Sequence, residues 1–168
     1  MPKTQKGFTL IELVITAIVI AILVTSLYIM LQKVNMRSRD AIRLSDMANL
    51  FQAIQATVQD NEDKEKLYYL LCNQPKTPCE GKSYPMDKNT QNVDGSGWLK
   101  VMFTNKSTIK YAFLPLDPLN NEEFNYNYTS DGKSWKLTAK LESSNFKNRM
   151  IEDGGADLNR YELTQKLK

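Results

Sequence analysis

The sequence predicts an α+β protein, with a long N-terminal α-helix packed on a small antiparallel β-sheet head. Three observations carry this expectation. Residues 13–31 read LVITAIVIAILVTSLYIML, nineteen residues without a charge, close to the roughly 20 needed to cross a hydrocarbon core of about 30 Å. Beyond them Ala41, Leu44, Met47, Phe51, Ile54 and Val58 recur at spacings of three and four, the stripe of an amphipathic helix. From Gly97 onward apolar residues alternate with polar ones, the period of a half-buried strand.

The chain has 168 residues, 22 Lys+Arg against 19 Asp+Glu, two Cys and no His, a length that suits one small domain and an appendage. Without histidine there is no Ser/His/Asp or Cys/His nucleophile pair, and the commonest metal ligand is missing. An enzyme is therefore not expected. The mean hydropathy of −0.45 hides how unevenly the apolar residues are placed, since they are concentrated at one end.

A secretory signal has a shorter apolar core followed by a small-residue cleavage site, and Val24-Thr25-Ser26 makes a poor one. A plain membrane anchor accounts for the length but not for Glu12, a carboxylate at the edge of the apolar run. A charge deep in a spanning helix costs roughly 2.5 to 3.5 kcal/mol and normally has a partner or a function. At the interface it is tolerated, helped by the positive end of the helix dipole. Both placements stay open at this point. Lys3 and Lys6 precede the span while Lys33, Arg37, Arg39 and Arg43 follow it, so charge counting assigns no orientation.

Lys6-Gly7-Phe8-Thr9-Leu10-Ile11-Glu12-Leu13, heading a long apolar helix, resembles the processing signature of type IV pilins and type II secretion pseudopilins. The resemblance implies that prepilin peptidase cuts between Gly7 and Phe8 and then N-methylates Phe8. It also implies an N-in orientation, with Glu12 in the position of the family's assembly glutamate. Phe8 and Glu12 are four residues apart and share a helical face, so the carboxylate can meet a cationic amine of its own or a neighbouring subunit. Many pilins carry a kinking proline in the apolar half. This chain has none between residues 8 and 74, which predicts a straighter stem.

The expected organisation is a leader over residues 1–7, a transmembrane and filament-core helix over 8–32, and its amphipathic continuation over 33–60. A connection follows over 61–96, then the β head over 97–145 and a tail over 146–168. The continuous helix would be roughly 80 Å long at 1.5 Å per residue. Its second half is expected to turn the apolar stripe inward, with Arg37, Asp40, Arg43, Asp46, Asn49, Gln52 and Gln59 on the polar face. A coiled coil is the alternative, but the stripe is barely three heptads long.

In the connection, Leu67 to Leu71 is a short apolar piece, and Cys72 and Cys79 flank Asn-Gln-Pro-Lys-Thr-Pro. In an exported head the pair closes a small-loop disulfide worth roughly 2.5 kcal/mol; in a reducing compartment it stays as two thiols. Two Cys with no His are too few for a structural zinc site. Residues 98–103 and 108–114 read as extended pieces. The firmest hairpin joins residues 124–129 to 134–141 through Ser130-Asp131-Gly132-Lys133, with Asp-Gly as turn chemistry. Its Tyr and Trp residues are expected in the core and not as a ligand-stacking platform.

Trp98-Leu99-Lys100, Leu114 to Asn120 and the YTSDGKSWKLTAKLES segment are similar to the globular half of major pseudopilins, whose corresponding loop often binds Ca²⁺. Asp117, Asn120, Glu122 and Asp131, with Asn121 and Glu123, offer the hard oxygen ligands calcium prefers, although no EF-hand spacing is present; otherwise no cofactor is expected. Residues 60–168 hold sixteen Lys+Arg and sixteen Asp+Glu. Lys133, Lys136, Lys140, Lys147 and Arg149 could form a local basic patch, but this balance argues against a nucleic-acid module. In the tail, Asp153-Gly154-Gly155 reads as a flexible break, with Leu158, Tyr161 and Leu163 free to pack.

The reading is a non-enzymatic structural subunit that prepilin peptidase processes. It is expected as a single-pass protein of the inner (cytoplasmic) membrane with its head outside, assembling with itself and other pilins or pseudopilins in the periplasm or at the cell surface. The filament is a type II secretion pseudopilus or a type IV pilus-like fibre for protein export. The alternatives are a competence or DNA-uptake pilin and an anchored binding domain that never polymerises.

Overall fold

The computed structural model describes residues 7–59, 64–73, 78–103 and 112–166. The elements in chain order are α1 (Leu10–Gln59), α2 (Lys64–Cys72), β1 (Cys79–Lys82), β2 (Tyr126–Ser130), β3 (Ser134–Ala139), α3 (Lys147–Glu152) and β4 (Tyr161–Lys166). The chain divides into two compact units, Met1–Met36 and Arg37–Lys168, and each is described by itself. The α+β class holds: a long helix packs on a four-stranded antiparallel sheet of order β1-β2-β3-β4.

The hairpin β2–β3 is the centre of the sheet. Its register opposes Tyr126 to Ala139, Tyr128 to Leu137 and Ser130 to Trp135, and these six side chains are buried on one face, as a period of two requires. The turn is held by Asp131, whose Oδ1 accepts the N–H groups of Lys133 (2.9 Å) and Ser134 (2.6 Å). Gly132 sits at φ +76°, a left-handed conformation that glycine adopts without strain. The sheet extends beyond residues 97–145 on both sides. The connection supplies β1 as one edge and the tail supplies β4 as the other, paired along β3 from Ser134↔Lys166 to Ala139↔Tyr161.

Residues 98–103 are not a strand. Trp98, Leu99 and Val101 are all buried, a spacing no single strand face gives. Their backbone is satisfied piecemeal: the N–H of Trp98 donates to Thr90 O (2.9 Å) and that of Met102 to Leu70 O (2.7 Å). Gly81 of β1 permits the closest approach, because a Cβ there would lie 1.8 Å from the Trp98 carbonyl oxygen. The other expected extended piece, 108–114, lies mostly outside the described residues. Leu67 to Leu71 belongs to α2, whose last residue, Cys72, is joined to Cys79 at the start of β1 by a disulfide, Cα atoms 5.4 Å apart. Nor is Asp153-Gly154-Gly155 a loose break. Asp153 accepts the N–H groups of Gly155 (2.8 Å) and Glu162 (2.6 Å), and Glu162 accepts that of Ala156 (2.9 Å).

The largest correction concerns the face that α1 turns inward. Its buried residues are Asp40, Arg43, Met47, Leu50, Ala53, Ile54 and Thr57. Met47 and Ile54 were expected inside, but Ala41 is exposed and Leu44, Phe51 and Val58 are half-buried. The helix is rotated so that two charged residues from the expected polar face point into the head. Burial is tolerated because they are paired. Arg43 donates from Nε and Nη2 to both oxygens of Asp117 (2.6 and 2.8 Å), and from Nη1 to Asp40 (2.9 Å) and Glu142. Asp40 accepts the backbone N–H groups of Glu142 (2.9 Å) and Ser143 (2.7 Å). Arg39 grips Glu142 through two bonds, 2.9 and 2.6 Å.

Burial alone would lower the Arg43 pKa, but hydrogen bonds from its guanidinium to Asp117 and Glu142 outweigh it and push the value up. Burial likewise works against the Glu142 carboxylate, yet the Arg39 and Arg43 hydrogen bonds hold it below its ordinary value. Removing one partner of a buried ion pair leaves the others uncompensated. Arg43→Ala is therefore expected to destabilise the head by about 3–5 kcal/mol in denaturant unfolding of the detergent-solubilised chain. Because Glu142 is depressed in the fold, its contribution is fully present above the unfolded carboxylate pKa. It is lost as the pH falls through the lower folded value. The acid limb of a stability–pH curve should flatten in Glu142→Gln relative to the parent.

Candidate functional site

The residues marked by the processing signature lie where α1 begins. Gly7, Phe8 and Thr9 are outside the helix, which starts at Leu10 and not at the expected Phe8, so Phe8 does not share a helical face with Glu12; the threonine cap sets the start. Thr9 is its N-cap. Its Oγ1 accepts the N–H of Glu12 (3.3 Å) and its carbonyl accepts that of Leu13 (3.2 Å). Thr9-Leu10-Ile11-Glu12 has the spacing of a capping box, a threonine at the cap and a glutamate three residues on, and the threonine half of that pattern is the one formed here. Glu12 is thus also the acidic residue of that turn, where the helix dipole favours negative charge. Thr9 is a residue the sequence reading passed over, although the capping-box spacing was visible.

Gly7 has no structural duty within the described chain. A Cβ built on it meets nothing within 4 Å, and its backbone is not in the left-handed region. Phe8 is 81% exposed. The scissile position implied by the signature is therefore non-helical, uncovered and followed immediately by a capped helix.

Behind it, α1 offers an apolar span long enough to cross a membrane, with its large side chains from Leu10 to Leu31 exposed. Exposed apolar surface on this scale requires another apolar phase, lipid or protein. The hydroxyls within it are satisfied on their own helix: Thr16 donates to Leu13 O (2.9 Å), Thr25 to Ala21 O (2.8 Å) and Ser26 to Ile22 O (2.9 Å). α1 runs unbroken from Leu10 to Gln59.

The proposed calcium ligands are not brought together. Asp117 is buried and committed to Arg43. The Asn120 side chain accepts from Ser83 Oγ (2.6 Å), beside the start of β2, while Asp131 caps the turn at the far end of that strand. The side chain of Glu122 is exposed. Among the described residues no three His, Cys, Asp or Glu side chains form a group that could hold a metal. Two of the basic candidates are neutralised, Lys136 by Glu162 (3.1 Å) and Lys140 by Glu123 (2.5 Å).

Among protein-family models, the prokaryotic N-terminal methylation motif matches residues 2–28. Comparison with curated proteins and with solved structures returned no match.

Since Gly7 faces open space, Gly7→Leu is expected to leave helix content and unfolding within about 0.5 kcal/mol of the parent. In cells it should retain the leader. Circular dichroism and intact mass together check both halves.

Proposed function

We propose that this chain, type IV pilin- or pseudopilin-like by its N-terminal methylation motif, is the structural subunit of a pseudopilus or pilus-like filament serving protein export. It is made as a precursor anchored in the inner membrane with its N-terminus inside and its head outside. Prepilin peptidase hydrolyses the Gly7–Phe8 bond, water supplying the proton for the new amine and the hydroxyl for the new carboxyl. The peptidase then moves a methyl group from a methylsulfonium donor onto the Phe8 amine, the donor leaving as its thioether and the amine giving up a proton to water. The mature helix leaves the bilayer for the filament, where the Glu12 carboxylate pairs with the Phe8 amine of its own or a neighbouring subunit.

The observation that carries this reading is the contrast at Gly7. The chain keeps glycine where its own fold demands none, in a non-helical segment directly before a capped helix. On this reading the glycine serves the peptidase, which must reach its carbonyl. The disulfide between Cys72 and Cys79 supports a head on the oxidising side of the membrane.

Mass spectrometry of the protein from native membranes is expected to find a mature chain beginning at N-methylated Phe8. A Met1 or Pro2 start, in cells whose prepilin peptidase is active, would turn the reading to a plain anchored domain. Glu12→Val should be cleaved at the parental level and give little or no filament by shearing and electron microscopy; parental filament yield would remove Glu12 from the mechanism.

A further inference from the structure

We propose that the precursor sits in the bilayer with Glu12 at one water interface and Gln32 and Lys33 at the other, so that residues 13–31 alone cross the hydrocarbon. This rests on the membrane-anchor reading above and determines the register that it leaves open. Two registers fit a hydrocarbon core about 30 Å thick. One runs from Phe8 to Tyr28 and buries Glu12 by one helical turn, about 6 Å. The other runs over residues 13–31, about 28 Å at 1.5 Å per residue, and leaves Glu12 at the edge.

The polar atoms along α1 decide between them. From Leu13 to Leu31 the polar side chains are Thr16, Thr25, Ser26 and Tyr28. The first three donate to carbonyls of their own helix, so none needs water. The Tyr28 hydroxyl accepts a hydrogen bond from Gln32 Nε2 at 3.0 Å. The phenol is therefore tied to the level of Gln32 and Lys33, with its ring in the apolar zone and its polar tip toward the surface, the placement tyrosines take at membrane edges. The Lys33 ammonium marks the same level and reaches headgroups easily.

At the other end the arrangement differs. Thr9 satisfies the Glu12 backbone N–H, but among the described residues nothing donates to the Glu12 carboxylate. A carboxylate in hydrocarbon needs a partner; at the interface water and headgroups serve it. The edge register meets every polar requirement of the span at once, and the deep register leaves one unmet. Glu12 then calls for a cationic partner only when the helix leaves the lipid, which makes it a group that acts in extraction and assembly and not in membrane residence.

Cysteine scanning of the full-length precursor in phosphatidylcholine vesicles tests this, using a water-soluble maleimide with both sides opened by a pore-forming toxin. Cys72 and Cys79 are joined in a disulfide and the described residues include no free cysteine, so labelling reports the introduced residue. Leu10→Cys and Val34→Cys are expected to label. Ile20→Cys and Ile29→Cys should lose labelling until detergent is added. Protection of Leu10→Cys, or labelling of Ile29→Cys without detergent, while Ile20→Cys stays protected, overturns the register and leaves the anchor standing. Labelling of Ile20→Cys without detergent removes the span itself, and both readings with it.

Discussion

A guanidinium with no access to water must have its charge and its donors met by protein, and Arg43 is fully buried. It is met by Asp40 from the preceding turn of α1, by Asp117 from the loop before β2, and by Glu142 just after β3. These carboxylates come from distant parts of the chain, so the charge is compensated only when all those parts are in place. Asp40 adds bonds to the backbone of Glu142 and Ser143, and the Phe124 ring stacks 5.0 Å from the Arg43 guanidinium. The cluster thereby ties the loops on both sides of the central hairpin to one helix. Buried ion pairs are weak sources of net stability but costly to break, which makes this one chiefly a determinant of arrangement.

Much of the head follows from that anchorage. Once Asp40 and Arg43 face inward, the next turns on the same side are Met47, Leu50 and Ile54, and these meet Tyr126, Tyr128, Trp135 and Leu137 of the sheet in one apolar core. Phe51, at the border of the face, packs its ring 4.5 Å from that of Trp135. Tyr126 spans both regimes, its ring in the core and its hydroxyl donating to Asp46 at 2.8 Å. Burial raises the pKa of Asp46, the opposite direction to Glu142, so the two carboxylates pull stability in opposite senses as pH falls. The irregular segment around Trp98 fills the core without belonging to the sheet, because its backbone finds partners one at a time, as buried amides must.

The two units handle polar groups by contrasting rules. In the head, charges taken out of water are paired by the fold, and close approaches such as that at Gly81 require glycine. At the N-terminus, among the described residues, Gly7, Phe8 and the Glu12 carboxylate are exposed and under no such constraint. The long apolar span, the hairpin with its Asp-Gly turn and the marks at Gly7, Phe8 and Glu12 were all legible in sequence, because each depends on residues close together in the chain. Thr9 is equally local, since its capping bond spans only three residues.

What sequence alone determined is therefore the local chemistry: a membrane-length run, a period of two through Tyr126, Tyr128, Trp135 and Leu137, and a cysteine pair seven residues apart. What only the tertiary structure decided is which side of α1 faces inward, and that Asp117 is the partner of Arg43. It also decided that the tail closes the sheet as β4, and that residues 98–103 pack as a loop. The physical reason is common to all of these. A periodic pattern ranks helix faces by hydrophobicity and places Asp40 and Arg43 outside. The free energy of burying them depends on Asp117 and Glu142, 74 and 99 residues beyond Arg43, and no local pattern contains that distance.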